Sequence, residues 1–436
     1  MLERVKTGLL IVLVAASAYL SLLIWQVLPP PVTAGSSPPV GGTFWGPGID
    51  VVELMKPARI IVHLGPDSHT VLYPGTALFN RAWRPVLDAL QQLGGRWSNQ
   101  PMLLLSDAKN WQAAQQGPGL ELVFEFPANL DLWGQVLGYE QVLTTNWPIK
   151  RIQLVDQPEP KLIFASPEGD SFASLELPSG DVKLEPFFEN ALINELPSYE
   201  HITDVPTSPF GLFLPKQDLS LPILEISGQR VDPQVVAGSF FADLSLTRRI
   251  NERDAATIYS DGRRGVRVWP EGRVEYSAPE VLQGVRLPWS QALMRSVRFV
   301  TQHGGWFPTM RLAHLQETAV GQGHVFYRLA FRQYEQGLPI VSLPARLELS
   351  DRGVASYERE IWALKQTSAK QILTVTAAKE GLAALPSQQE VSDVYPGYVI
   401  EPDLKSSSFL QPVWLVEQPD GRLVILDTPD TGGGAK

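Results

Sequence analysis

The chain has 436 residues, 44% hydrophobic and 19% charged, which is apolar material for about two to four packed domains and too much for a disordered chain. Its formal net charge is −10, and Lys and Arg never gather into a basic face, which argues against nucleic acid as a partner because phosphate binding needs a positive footprint. The absence of Cys removes disulfides, thiolate metal sites, iron–sulfur clusters and cysteine nucleophiles.

The first seven residues read as a cytoplasmic stub. No residue between Lys6 and Asp50 is charged, and Gly8–Leu28 is a run of 21 residues broken only by Ser17, Ser21 and Gln26. As a helix it would be about 31 Å long, matching a hydrocarbon core of about 30 Å. Arg4 and Lys6 hold its short end in the cytoplasm, so the bulk of the chain is expected outside the cytoplasm, with Trp25 at the outer interface. A cleaved signal peptide is the competing reading, since Ala16-Ser17-Ala18 and Val32-Thr33-Ala34 resemble cleavage sites, although the apolar run is longer than such peptides need. Ala15, Ala16, Ser17, Ala18 and Ser21 form a small-residue patch that would let a partner helix approach closely.

Residues 29–48 are rich in Pro, Gly and Ser and read as a semi-extended spacer. An N-terminal α+β domain is expected over residues 49–205, with strands at Arg59–Leu64, Leu120–Phe126, Ile149–Val155, Lys161–Ala165 and Ser171–Leu177 and an amphipathic helix at Thr76–Leu93. A central domain over 206–288 has a strand at Pro222–Ser227, a helix at Pro233–Ala242 and strands at Ala255–Ser260, Gly265–Trp269 and Arg273–Tyr276. A C-terminal region over 289–428 reads as two helix-plus-antiparallel-sheet units. One has helix Ser290–His303 with strands His324–Gln333, Leu343–Ser350 and Val354–Glu360; the other has helix Ala369–Ala384 with strands Tyr398–Glu401, Gln411–Gln418 and Arg422–Asp427. Residues 429–436 read as a disordered tail. The fold class is therefore α+β, one N-terminal span followed by a multidomain extracytoplasmic region.

Chemistry is harder to find. The six histidines, His63, His69, His201, His303, His314 and His324, form no tight ligand spacing, so no metal site is expected. His303-Gly304-Gly305 reads as a helix C-cap, and Asp261-Gly262-Arg263-Arg264 as a hairpin turn. Glu358 and Glu360 share one face of a strand and read as exposed. No catalytic, cofactor or metal residues are assigned and the chain reads as a non-enzyme; Arg248, Arg249, Arg263 and Arg264 are the candidates for an extracytoplasmic contact.

The segment Gly238–Pro279, above all Ser239-Phe240-Phe241-Ala242-Asp243, Arg248-Arg249-Ile250 and Ile258 through Gly265, resembles the YycH family of membrane-anchored regulators of the WalK/WalR (YycG/YycF) two-component system. The last two units resemble YycI and, more loosely, PepSY-type modules. The resemblance implies a non-enzymatic regulator of a sensor histidine kinase, governing cell-wall homeostasis in Gram-positive bacteria. It would pair with WalK and a YycI-like protein in the membrane through the helix carrying Ala15–Ala18 and Ser21. The other reading is an envelope-anchored binding or protease-inhibiting module for which the span is only a tether, and an enzyme of unrecognised type stands behind both.

Overall fold

The computed structural model describes residues 6, 47–96, 104–138, 147–155, 159–177, 184–188, 193, 195–203, 205, 208–281, 284–307, 309–321, 323–386, 390–402 and 408–427. The chain divides into two compact units, Met1–Gly42 and Thr43–Lys436, and every element named below belongs to the second. The expected span Gly8–Leu28, with Ala15, Ala16, Ser17, Ala18 and Ser21, and the expected tail lie outside the described residues. Among the described residues no helix is long and apolar enough to cross a membrane.

The first nine strands make one sheet. They are β1 (Arg59–Gly65), β2 (Ser68–Leu72), β3 (Leu104–Ser106), β4 (Gly119–Ala128), β5 (Ile149–Val155), β6 (Lys161–Ala165), β7 (Phe172–Glu176), β8 (Ser198–Ile202) and β9 (Leu212–Pro215), in the spatial order β3-β7-β6-β5-β4-β1-β2-β8-β9. The helix expected near residue 76 runs over Ala77–Arg96, started by Thr76, whose hydroxyl accepts from the Phe79 amide at 3.1 Å. Its residues Phe79, Ala82, Trp83, Val86 and Leu90 recur at helical spacing and pack on Ile60, Val62, Leu122 and Phe124 of the sheet.

The next strand, β10 (Leu219–Gly228), leaves this sheet and waits for the end of the chain. Residues between form a second sheet: β11 (Arg248–Asn251), β12 (Thr257–Ser260), β13 (Gly265–Val268), β14 (Arg273–Ser277), β15 (Met310–Val320), β16 (His324–Glu335), β17 (Leu338–Pro339), β18 (Ala345–Ser350) and β19 (Gly353–Glu360). Its order is β11-β12-β13-β14-β19-β18-β16-β15, with β17 beside β16. Helix Trp289–Gln302 covers it with Ala292, Leu293, Val297 and Val300. That helix ends as expected: Gly304 and Gly305 adopt φ of 131° and 87°, and the Gly305 amide donates to Val300 at 2.9 Å.

The third sheet joins β10 to β20 (Trp362–Leu373), β21 (Asp393–Pro402), β22 (Ser408–Glu417) and β23 (Leu423–Ile425), in the order β20-β10-β22-β21 with β23 beside β22. The register sets Leu219 against Leu373 and Gly228 against Trp362, so the second sheet is inserted between two neighbouring strands of the third. Two differences from the sequence reading are plain. Residues 369–373 belong to β20, and the helix occupies only Val375–Ala384, capped by Thr374, whose hydroxyl accepts from Ala377 at 3.2 Å. The 11-residue strand β15 had no counterpart in the sequence reading.

Candidate interaction site

The face of the first sheet that turns away from its long helix carries charge. Side chains alternate along a strand, and Arg59 and His63 of β1, Glu121 of β4, and Arg151 and Gln153 of β5 are all buried. Arg59 and Arg151 both donate to Oδ2 of Asp393 at the start of β21, the latter at 2.8 Å. Arg151 also holds Glu121 at 2.5 Å, and Gln115 donates to the same carboxylate at 2.9 Å. Burial alone would raise the Glu121 carboxyl, but Arg151, His63 and Gln115 outweigh it and keep it well below the usual carboxylate range.

Two more pairs flank this cluster. Lys150 bonds Glu417 of β22 at 2.5 Å, and Tyr395 donates to the other Glu417 oxygen at 2.8 Å. Arg332 and Tyr334 of β16 hold Glu125 of β4 at 2.6 and 2.5 Å. Carboxylates and cations from all three sheets thus close on one another in the interior. Such a junction fixes geometry more than it adds stability, since desolvation consumes most of the Coulombic gain.

Three of the six histidines converge here. The Nδ1 atoms of His63 and His69 lie 3.0 Å apart, His63 Nε2 is 3.2 Å from Glu121 and His69 Nε2 is 3.1 Å from the Pro66 carbonyl. Burial, then the neighbouring His63 and His201, push His69 down to about 4. His201 stacks on Phe213 at 4.3 Å and bonds the Phe210 carbonyl at 3.0 Å. Among the described residues no cluster of His, Asp and Glu has the geometry to hold a metal.

Beside the junction lies a cleft of about 380 Å³. Trp147, Trp289 and Phe126 form its aromatic walls, Lys150 and Glu417 reach its floor, and His314 and Asp420 stand at its rim. Phe126 and Trp289 have ring centroids 6.3 Å apart.

The four arginines singled out in the sequence come to one corner of the second sheet. Arg248 and Arg249 lie on β11, whose four residues are all exposed, and Arg248 is registered against Ser260, just before the turn that carries Arg263 and Arg264. That turn is the expected one: Gly262 has φ of 91°, and Asp261 Oδ1 accepts from the amides of Arg263 and Arg264 at 3.0 Å each. Arg264 is spent locally, paired with Asp261 at 3.0 Å and set over the Phe241 ring at 5.1 Å. Arg267, which the sequence reading did not single out, takes Glu252 and Asp254 at 2.5 and 2.9 Å. Glu358 and Glu360 are exposed, as expected.

These features define a mixed α+β scaffold of three antiparallel sheets welded by a buried polar junction, presenting a cleft and a cationic corner. No family model matches the chain, and no curated protein does. Its structure is similar to that of YycH from Bacillus subtilis, with a TM-score of 0.61 and 14% identity over 88% of this chain and 99% of that one. An uncharacterized protein from Eubacterium rectale aligns with 56% of this chain and 89% of its own at a TM-score of 0.32 and 9% identity. The fold is YycH-like.

Proposed function

We propose that the chain is a non-enzymatic accessory regulator of a membrane sensor histidine kinase, WalK-like, acting by contact. The observation that carries the reading is the YycH-like fold over 88% of the chain, in which the segment Gly238–Pro279 resembles that family. In this reading Gly8–Leu28 spans the cell membrane, the N-terminus is cytoplasmic, and Ala15–Ala18 with Ser21 meet the kinase and a YycI-like partner. Membrane helix contacts of about 0.6–2 kcal/mol suffice to bias two signalling states that differ by a few kcal/mol. No catalysis is needed.

The test is co-purification with the kinase from membranes. Changing Ser17 and Ser21 together to Leu should abolish it, and undiminished recovery would remove the helix-contact mechanism. The cleft walled by Trp147 and Trp289 favours a second reading, an envelope binding module for which the span is a tether. Replacing residues 1–28 with an unrelated anchor separates the two, because a tether tolerates the exchange and a contact helix does not.

A further inference from the structure

We infer that the outer edge of β11 is a docking strand for an acidic, extended segment of a partner protein, which adds to the second sheet as a further strand. The backbone makes the first part of the case. Glu252 donates to Ala256 at 2.8 Å and Asp261 donates to Arg264 at 3.3 Å, which fixes the parity of the β11–β12 ladder. Because bonded and non-bonded pairs alternate along an antiparallel ladder, Arg248 and Ile250 turn their amides and carbonyls inward to Ser260 and Ile258. Arg249 and Asn251 turn theirs outward. Among the described residues no strand pairs with that side, and an open edge is a template for strand addition.

Charge makes the second part. The acidic neighbours Asp261, Glu252 and Asp254 are already taken by Arg264 and Arg267. Arg248, Arg249, Arg253 and Arg263 are exposed and, among the described residues, form no ion pair; they lie along and at both ends of the open edge, in a chain with a net charge of −10. Leu246 and Ile250, 77% and 40% exposed, supply apolar contacts beside them. An incoming strand with Asp or Glu on alternate positions and aliphatic residues between would meet both kinds of group. Surface lysines and arginines also blunt edges against aggregation, but here the outward amides lie between the unpaired cations, which suits an acidic strand in particular. A flat anionic membrane would use the arginines and leave the outward amides and carbonyls of Arg249 and Asn251 unused.

The inference rests on the reading of the chain as one that acts by contact, but on none of its membrane part. The full chain in nanodiscs of neutral lipid is titrated against a fluorescent octapeptide alternating Glu and Val, its Lys/Val twin, and vesicles containing phosphatidylglycerol. The acidic peptide should bind saturably and the Lys twin should not. Asn251→Pro deletes an outward amide without touching a ladder bond or a charge and should weaken binding about tenfold or more, while Asn251→Ala keeps it. Arg248→Glu with Arg263→Glu should reverse the preference towards the Lys peptide, and decides the matter should the proline variant not fold. Equal binding of both peptides, binding untouched by Asn251→Pro in a folded variant, or binding to the vesicles alone would overturn the inference. Each of these outcomes leaves the helix-contact test on Ser17 and Ser21 standing by itself.

Discussion

Asp393→Ala removes the carboxylate that Arg59 and Arg151 share, and leaves two guanidinium groups, 4% and 1% exposed, without that counter-charge. Removing one partner of a buried ionic cluster costs about 3–5 kcal/mol, because the orphaned charge keeps its desolvation penalty. Unfolding entropy of about 2.1 cal/mol/K per residue over roughly 390 residues of the larger unit gives about 0.8 kcal/mol/K, so the midpoint should fall by about 4–6 °C. Tryptophan emission during thermal unfolding reports it, since Trp133, Trp306 and Trp414 are buried on all sides. Lys365→Ala is the control: its pair with Glu225 is exposed and 3.7 Å long, and its loss should move the midpoint by less than about 1 °C. A midpoint for Asp393→Ala that matches the control would refute the claim that the junction is a dry, shared charge cluster.

Stability should also depend on pH in a stated direction. Burial pushes His303 and His69 down to about 4, so between pH 6.5 and 4 the unfolded chain takes protons that these rings refuse in the fold. Their contribution is complete above pH 6.5 and is lost as pH falls, by up to about 1.4 kcal/mol per pH unit for each ring; a urea midpoint constant from pH 7 to 5 would contradict this. Gly272→Ala should cost several times more than Gly421→Ala in the same denaturation assay. Both positions have positive φ, but a Cβ at Gly272 would meet the Gln229 and Ile361 carbonyls at 2.6 and 2.7 Å, whereas that of Gly421 enters open space and costs only about 1 kcal/mol.

Much of the local structure is legible in the sequence, for reasons visible residue by residue. β5 and β6 occupy the expected residues because β-branched and leucine-rich runs bounded by turn chemistry admit little else. β15 is hidden by a register shift between Leu312 and His314, which breaks the two-residue period so that Leu312 and Leu315 are both buried at a helix-like spacing. The end of β20, Lys-Gln-Thr-Ser-Ala-Lys-Gln, is an exposed edge with good helix formers and no buried alternation. It is a strand because β10 pairs with it, a contact between residues far apart in the chain. The polar junction is marked in the sequence by polar residues spaced by two or four inside otherwise apolar strands, Arg59 and His63, Glu121 and Glu125, Arg151 and Gln153. Three strands with that pattern imply a second buried face lined with ion pairs. Asp393, which pairs with Arg59 and Arg151, and Glu417, which pairs with the neighbouring Lys150, lie hundreds of residues away, and only the assembled sheets bring them together.

The most direct test of action by contact is in-cell crosslinking from a photoreactive residue placed at successive positions of Gly8–Leu28. We predict adducts with a sensor histidine kinase that recur every three to four positions, on the face holding Ser17 and Ser21. A chain recovered free in the medium with its N-terminus at or beyond residue 19, and no adduct at any position, would contradict it.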